Sequence, residues 1–218
     1  MRSLIFLCTI YASQVAGTSQ QPDPRLEIYF DEVLFKTQCD LLRRNPNGRK
    51  IYLRAALQSD SGNFIDLRAD PYGLFLGLDY TLKKVGWCST RKEQEKNTLQ
   101  CSVIFDGIRI VLPRVADDAT QYVVHAKIGA RVVLQERLGT SFMMFKRFAL
   151  TQETYTMMDS NYGLVSHPVQ YSLKEGPLQN LRGVLHSKFV TFLGDNGQLR
   201  DALDTALRAV RKPVGFNG

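Results

Sequence analysis

The stretch "QYVVHAKIGARVVLQ" (residues 121–135) decides the fold class. Tyr122, Val124, Ala126, Ile128, Ala130, Val132 and Leu134 share one face of an extended chain. Val123, His125, Lys127, Gly129, Arg131, Val133 and Gln135 share the other. Alternation with a period of two is the pattern of a half-buried antiparallel strand. Its length, roughly twice the usual five or six residues, points to a long, twisted sheet rather than a compact sandwich.

The same period holds from Lys50 to about Leu173. "KIYLRAALQ" (50–58) reads as a strand, "SDSGN" (59–63) as a turn and "FIDLR" (64–68) as a second strand. "YGLFLGLDYTLKKVG" (72–86) reads as one long third strand, with Gly73 and Gly77 marking a bulge or a close approach. "SFMMFKRFALTQETYTMM" (141–158) continues the theme. Between these, Val103 and Phe105 hold one face until Gly107, after which Ile108, Ile110 and Leu112 take it over. A one-residue shift at a glycine is what a β-bulge produces, and it bends the strand.

Helical spacing frames this sheet. In "LEIYFDEVLFKTQCDLLRRN" (26–45), Leu26, Phe30, Val33, Leu34, Thr37 and Leu41 recur at three and four residues. Acidic residues lie nearer the start and Arg43 and Arg44 at the end, matching the helix dipole. "NPNG" (45–48) stops an amphipathic helix predicted over about 25–44. Cys39 lies near its apolar side, and a buried free thiol is expected there. At the other end, Leu178, Leu181, Leu185, Phe189, Phe192 and Leu193 form a stripe. "GDNG" (194–197) interrupts it, and Leu199, Leu203, Leu207 and Val210 resume it before Pro213. The order is helix, long antiparallel sheet, long broken helix: an α+β chain by segregation, in one domain.

The N-terminus sets the compartment. "MRSLIFLCTIYASQVAG" has a basic Arg2, an apolar run from Leu4 to Ala12, and Val15 and Gly17 at the −3 and −1 positions of a cleavage site. That is the layout of a secretory signal peptide over 1–17, with 18–218 as the mature domain. The apolar run is shorter than the roughly 20 residues that span a bilayer. Secretion is therefore expected.

Of four cysteines, Cys8 leaves with the signal. Cys88 and Cys101 flank "STRKEQEKNTLQ" (89–100), a polar segment suited to a hairpin tip. In an oxidising compartment this pair reads as a disulfide. His125, His167 and His186 are too scattered for a zinc set, and a redox pair needs closer cysteines.

The formal charge of +7 drops by one with Arg2 and is spread without a block. Clusters stand out at Arg91, Lys92 and Lys96, and at Arg208, Arg211 and Lys212. The balance suits an anionic surface, such as an acidic membrane or a bacterial glycolipid. No nucleic acid partner is expected, because the concentrated basic stripe with aromatic interleaving is missing. No nucleophile elbow, phosphate loop, zinc motif or dinucleotide fingerprint occurs, so neither enzymatic activity nor a cofactor is expected.

"GLFLGLDYTLKKVGWC" (73–88) and "LQCSVIFDGIRIVL" (99–112) resemble arthropod proteins related to the group-7 dust-mite allergen. Those carry a GL-x-G-L-x-x-L-K/R-x-G strand followed by a C-S-x-x-F-D-G-L/I strand. "GPLQ" (176–179) resembles their GPLN entry into a long C-terminal helix. The resemblance spans roughly 25–212 and rests on glycines and apolar residues rather than reactive groups. It implies a tubular lipid-binding module, the super-roll of bactericidal/permeability-increasing proteins, in which a long curved antiparallel sheet wraps a long C-terminal helix. Insect hormone carriers of that fold have a cysteine pair near the mature N-terminus, which this chain lacks.

Surplus apolar surface supplies candidates for a ligand groove: Phe64, Leu74, Leu76, Leu78, Val103, Phe105, Ile128, Val132, Phe142, Met144, Leu185 and Phe189. Cores and pockets use the same residue types. The expected partner is a lipid or other hydrophobic small molecule. The alternatives are an innate-immunity or antimicrobial protein acting on anionic membranes, and an allergen-like host-interaction protein without a ligand.

Overall fold

A computed structural model describes residues 23–53, 56–58, 64–66, 72–93, 96–113, 122–137, 139–159, 170–172, 179–194 and 197–213. The signal peptide expected over 1–17, His167 and the side chain of Phe64 lie outside the described residues.

Helix α1 spans Pro24–Arg44. The Asp23 side chain accepts the Arg25 N–H at 3.0 Å and Pro24 occupies the first turn, where its missing N–H costs nothing. The Asn45 N–H closes the other end on the carbonyls of Leu41 and Leu42. The six apolar-stripe positions read from the sequence are all buried, and the Thr37 hydroxyl among them donates to the Val33 carbonyl at 2.7 Å. Buried Asp40 accepts hydrogen bonds from Arg43 and Arg44. Cys39 departs from expectation: its thiol is free but exposed. It lies on the opposite helix face, with exposed Ile28, Phe35 and Leu42.

The sheet strands are β1 (Arg49–Tyr52), β4 (Tyr72–Leu76), β5 (Leu82–Glu93), β6 (Lys96–Val111), β7 (Tyr122–Glu136), β8 (Met143–Asp159) and β9 (Gln170–Ser172). All pairings are antiparallel, in the order β1-β4-β6-β7-β8-β9, with β5 on the other half of β6. Strands β2 (Ala56–Gln58) and β3 (Phe64–Asp66) form a separate antiparallel pair. The expected long third strand is two strands. Gly77, at φ +87°, starts a turn in which Thr81 donates from both its amide and its hydroxyl to the Gly77 carbonyl. The chain thereby leaves β4 and enters β5, so that each pairs with a different half of β6.

The bulge at Gly107 is present: register shifts between Asp106 and Ile108, with φ +103° at the glycine. On β7 the seven residues assigned to the inner face are all buried. The C-terminal helix is broken at the GDNG segment, as its sequence indicates, into α2 (Gln179–Leu193) and α3 (Gln198–Ala209). A Cβ at Gly197 would stand 2.1 Å from the Phe192 carbonyl oxygen, so the close turn between them requires glycine. Helix α1 packs on α3 and β5, α3 on β8, and α2 on α3 and β8. The core lies between these helices and the inner sheet face, with Phe75 stacked on Phe189 at 5.1 Å and Phe105 edge-on to Phe192 at 6.4 Å.

The Cys88–Cys101 disulfide joins β5 and β6. The segment between them is not a loose tip. Strand pairing continues outward to Glu93 and Lys96. Under native, non-reducing conditions an alkylating reagent is expected to label Cys39 and neither Cys88 nor Cys101. Peptide mapping that finds Cys39 bridged would refute the pairing. Removing the bridge as Cys88→Ser/Cys101→Ser is expected to cost about 3 kcal/mol of unfolding free energy, the chain-entropy value for a loop of this length.

Candidate ligand-binding site

The candidate groove residues divide by position. Leu78, Val103, Phe105, Ile128, Val132, Leu185 and Phe189 come together in the core, each at most 4 % exposed. Of these, Leu78 also lines a cleft beside α1, and the other six are packed in the interior. Leu74 and Leu76 are half-buried on the opposite face of β4, and the inward residue between them is Phe75. Met144 is exposed, Phe142 half-buried under the Arg137 guanidinium, and the inward residues nearby are Met143 and Phe145. Bulges explain the altered parity of β8. Its register against β7 slips between Gly129 and Ala130 and again between Val133 and Leu134. The inner face therefore passes from Met143 and Phe145 to Phe148 and Leu150, then to Tyr155 and Met157.

Two openings flank Phe75. The larger, about 350 Å³, lies between the end of α1, the following loop, β4 and the turn into β5. Its apolar surface comes from Leu41, Leu42, Phe75, Leu76 and Leu78, and its polar rim from Asn45, Asp79, Tyr80 and Arg109. This volume falls at the lower end of small-molecule pockets. Local chemistry holds it open. Gly48, at φ +82°, is approached so closely by Leu76 and the Phe75 carbonyl that a Cβ would stand 2.5 Å and 2.6 Å from them. Asn45 braces the wall through a 3.2 Å hydrogen bond to Gln198 at the start of α3. Leu42 and Tyr80 are exposed at the rim.

The smaller opening, about 160 Å³, lies where edge strand β1 meets α2. Arg49, Lys50, Ile51 and Tyr52 line it from β1, Phe75 from β4, and Lys188, Thr191 and Phe192 from α2. The Arg49 guanidinium sits 5.5 Å over the Phe192 ring, and Lys50 Nζ 5.7 Å over Tyr72. Residue periodicity along one element does not reveal this site, because its two halves are more than a hundred residues apart in the chain.

Other polar contacts are reactive in type but not in arrangement. Glu153 sits on the inner face opposite Ile128, where its carboxylate meets His186 Nδ1 at 2.7 Å and accepts the Tyr155 hydroxyl at 3.2 Å. Burial pushes the Tyr155 pKa well up, so the hydroxyl stays protonated. No Ser, Thr or Cys side chain among the described residues joins this trio by a hydrogen bond. His125 is half-buried on the outer sheet face, its pKa lowered by burial and by Arg109. Among the described residues no group of three His, Cys, Asp or Glu is placed to hold a metal ion. No described helix is long and apolar enough to cross a membrane.

The outer sheet face is cationic, with Arg109, Lys127 and Arg131 exposed and Lys127 bonded to Asp106 at 3.2 Å. Exposed Trp87 and Val85 stand on β5. Of the basic clusters singled out in the sequence, Arg91, Lys92 and Lys96 are exposed at the hairpin, whereas Lys212 is bound to Glu136 at 2.5 Å. No protein-family model matches the chain, and no curated protein is significantly similar to it in sequence.

Proposed function

We propose that this chain is a secreted, non-enzymatic protein that binds a lipid or other amphipathic small molecule, on a tubular, super-roll-like variant of its sheet-and-helix fold. The observation that carries the reading is the 350 Å³ cleft beside α1, apolar on its floor and polar at its rim. Burial of hydrocarbon there supplies affinity at about 25 cal/mol per Å², and the rim holds a headgroup toward water. The resemblance to relatives of the group-7 mite allergen supports the same class of ligand.

A fluorescent fatty acid is expected to bind and to be displaced by unlabelled lipid. Leu42→Asp changes an exposed rim residue, so it is expected to leave stability within about 0.5 kcal/mol. It should weaken binding by roughly tenfold, equivalent to about 1.4 kcal/mol. Unaltered binding in Leu42→Asp removes the cleft as the site, and no binding by the unmodified protein removes the reading.

A second reading, recognition of anionic membranes, is favoured by the exposed cations Arg91, Lys92 and Lys96 of the hairpin, together with those of the outer sheet face. Salt separates the two. Apolar burial is nearly insensitive to moderate salt, whereas attraction to a membrane collapses as the Debye length falls from about 10 Å to 3 Å between 0.1 M and 1 M. Carrier behaviour predicts affinity changing less than about threefold over that range. Tight binding to anionic vesicles that vanishes at high salt, and is lost when Arg91, Lys92 and Lys96 become Ala, decides for the second reading.

A further inference from the structure

We propose that the opening between β1 and α2 is an anion subsite, in which Arg49, Lys50 and Lys188 hold the carboxylate or phosphate of a single-chain amphiphile whose first methylenes lie against Ile51, Phe75 and Phe192. The proposal rests on the lipid-binding reading for its ligand class, and on separate observations for its place.

The first observation is an orphaned donor. Arg49 Nη1 is buried and has no hydrogen-bond partner. A buried guanidinium N–H without an acceptor is uncommon and costs free energy, so the site favours an oxygen brought from outside. Burial also pulls the Arg49 pKa down, a penalty that an anion alongside would relieve. Charge is the second observation. Three cations line this opening and, among the described residues, no acidic side chain does. None of the three forms an ion pair with an acid among the described residues, whereas the partly buried Lys84 and Lys212 elsewhere in the fold do. Thr191 adds no competing donor, because its hydroxyl is given to the Ser187 carbonyl at 2.9 Å.

The third observation is space and lining. About 160 Å³ is several times the roughly 30 Å³ of a water molecule, which suits a carboxylate or phosphate with a short length of chain. The Phe192 ring lies 5.5 Å from the guanidinium carbon, an apolar neighbour that accepts none of its N–H groups conventionally and so leaves them for an oxygen. The site also adjoins the larger cleft: Phe75 lines both, and the linings include the consecutive residues Gly48 and Arg49.

Titration calorimetry with dodecyl phosphate, dodecanoate, dodecanol and inorganic phosphate tests this. Dodecyl phosphate or dodecanoate is expected to bind about tenfold more weakly to Arg49→Gln, and several-fold more weakly to Lys188→Gln, with dodecanol unchanged and Arg49→Lys intermediate. The better of the two anions identifies the headgroup. Equal binding of dodecanol and the anions, unaffected by either variant, overturns the subsite and leaves the carrier reading standing; water alone then satisfies Nη1. Arg49-dependent binding of inorganic phosphate without binding of any amphiphile keeps the anion site and removes the carrier reading. No heat with any probe removes both. Should Arg49→Gln fail to fold, Lys188→Gln, on the helix side of the opening, carries the same comparison.

Discussion

Phe189→Ala is expected to lower the unfolding free energy by about 3–5 kcal/mol, the range for deleting a large aromatic side chain from a packed core. Phe189 is fully buried on α2, stacked on Phe75 of β4 and tilted against Tyr155 of β8. It therefore ties the C-terminal helix to strands on both sides of the central pair β6 and β7. Deleting the ring leaves a cavity among groups whose positions are set by backbone hydrogen bonds, so collapse around it is partial. Against a total stability of about 5–15 kcal/mol, such a loss takes a large share. Urea denaturation followed by circular dichroism measures it, with Phe189→Leu expected to cost much less because most of the volume is kept. A loss below about 1 kcal/mol for Phe189→Ala would mean that α2 does not pack on β4. A charge at this position is expected to unfold the chain, so variants at the cleft rims, not at Phe189 or Leu185, are the ones that report on ligand binding.

The second large effect concerns Glu27. Although acidic, it is only 6 % exposed on the inner side of α1. One carboxylate oxygen accepts Lys84 Nζ at 2.7 Å, and the other accepts the Cys88 amide at 2.8 Å. The residue thus holds α1 against β5 at the disulfide. Glu27→Ala leaves the Cys88 N–H without its acceptor and Lys84 with Asp31 alone, at 2.9 Å. The expected cost is about 3 kcal/mol, the low end for breaking a buried pair, because Asp31 is exposed and still holds the lysine.

The pH dependence has a definite sign. Burial opposes the charge on Lys84, but its hydrogen bonds to Glu27 and Asp31 outweigh this and raise its pKa. The pair's contribution is therefore complete below the ordinary lysine value of about 10.4 and is lost as pH rises through the higher folded value. The stability difference between the wild type and Lys84→Met is expected to persist from pH 6 to about 9 and to shrink once pH passes the ordinary lysine value of about 10.4. A difference that stays constant beyond that pH would show that the ion pair does not form.

Much of the architecture is legible in the chain because it depends on neighbours in sequence. Helix α1 follows from a three- and four-residue stripe between Asp23 and Asn45, and its buried face is the one that the spacing selects. Inward and outward residues on β7 follow from strict alternation, and the bend in β6 from the parity change at Gly107. The disulfide follows from two cysteines on adjoining strands, and the break between α2 and α3 from GDNG.

Tertiary structure decided the rest, for identifiable reasons. Parity in β8 is set by bulges against β7, and no glycine within β8 itself marks them as Gly107 marks the one in β6; hence Met143 and Phe145, not Met144, face the core. On β4, both faces are apolar, so only packing against Phe189 selects Phe75 over Leu74 and Leu76. Cys39 lies on a helix face that the core does not reach. The Arg49 opening is assembled from β1 and α2, distant in sequence, and its distinguishing feature, a buried donor lacking an acceptor, exists only once the chain has brought Phe192 over the guanidinium. Sequence alone determined where this chain alternates, turns and caps, since those are local preferences of the backbone. Which apolar residues fill the interior, and which cations are left without partners, depended on non-local packing.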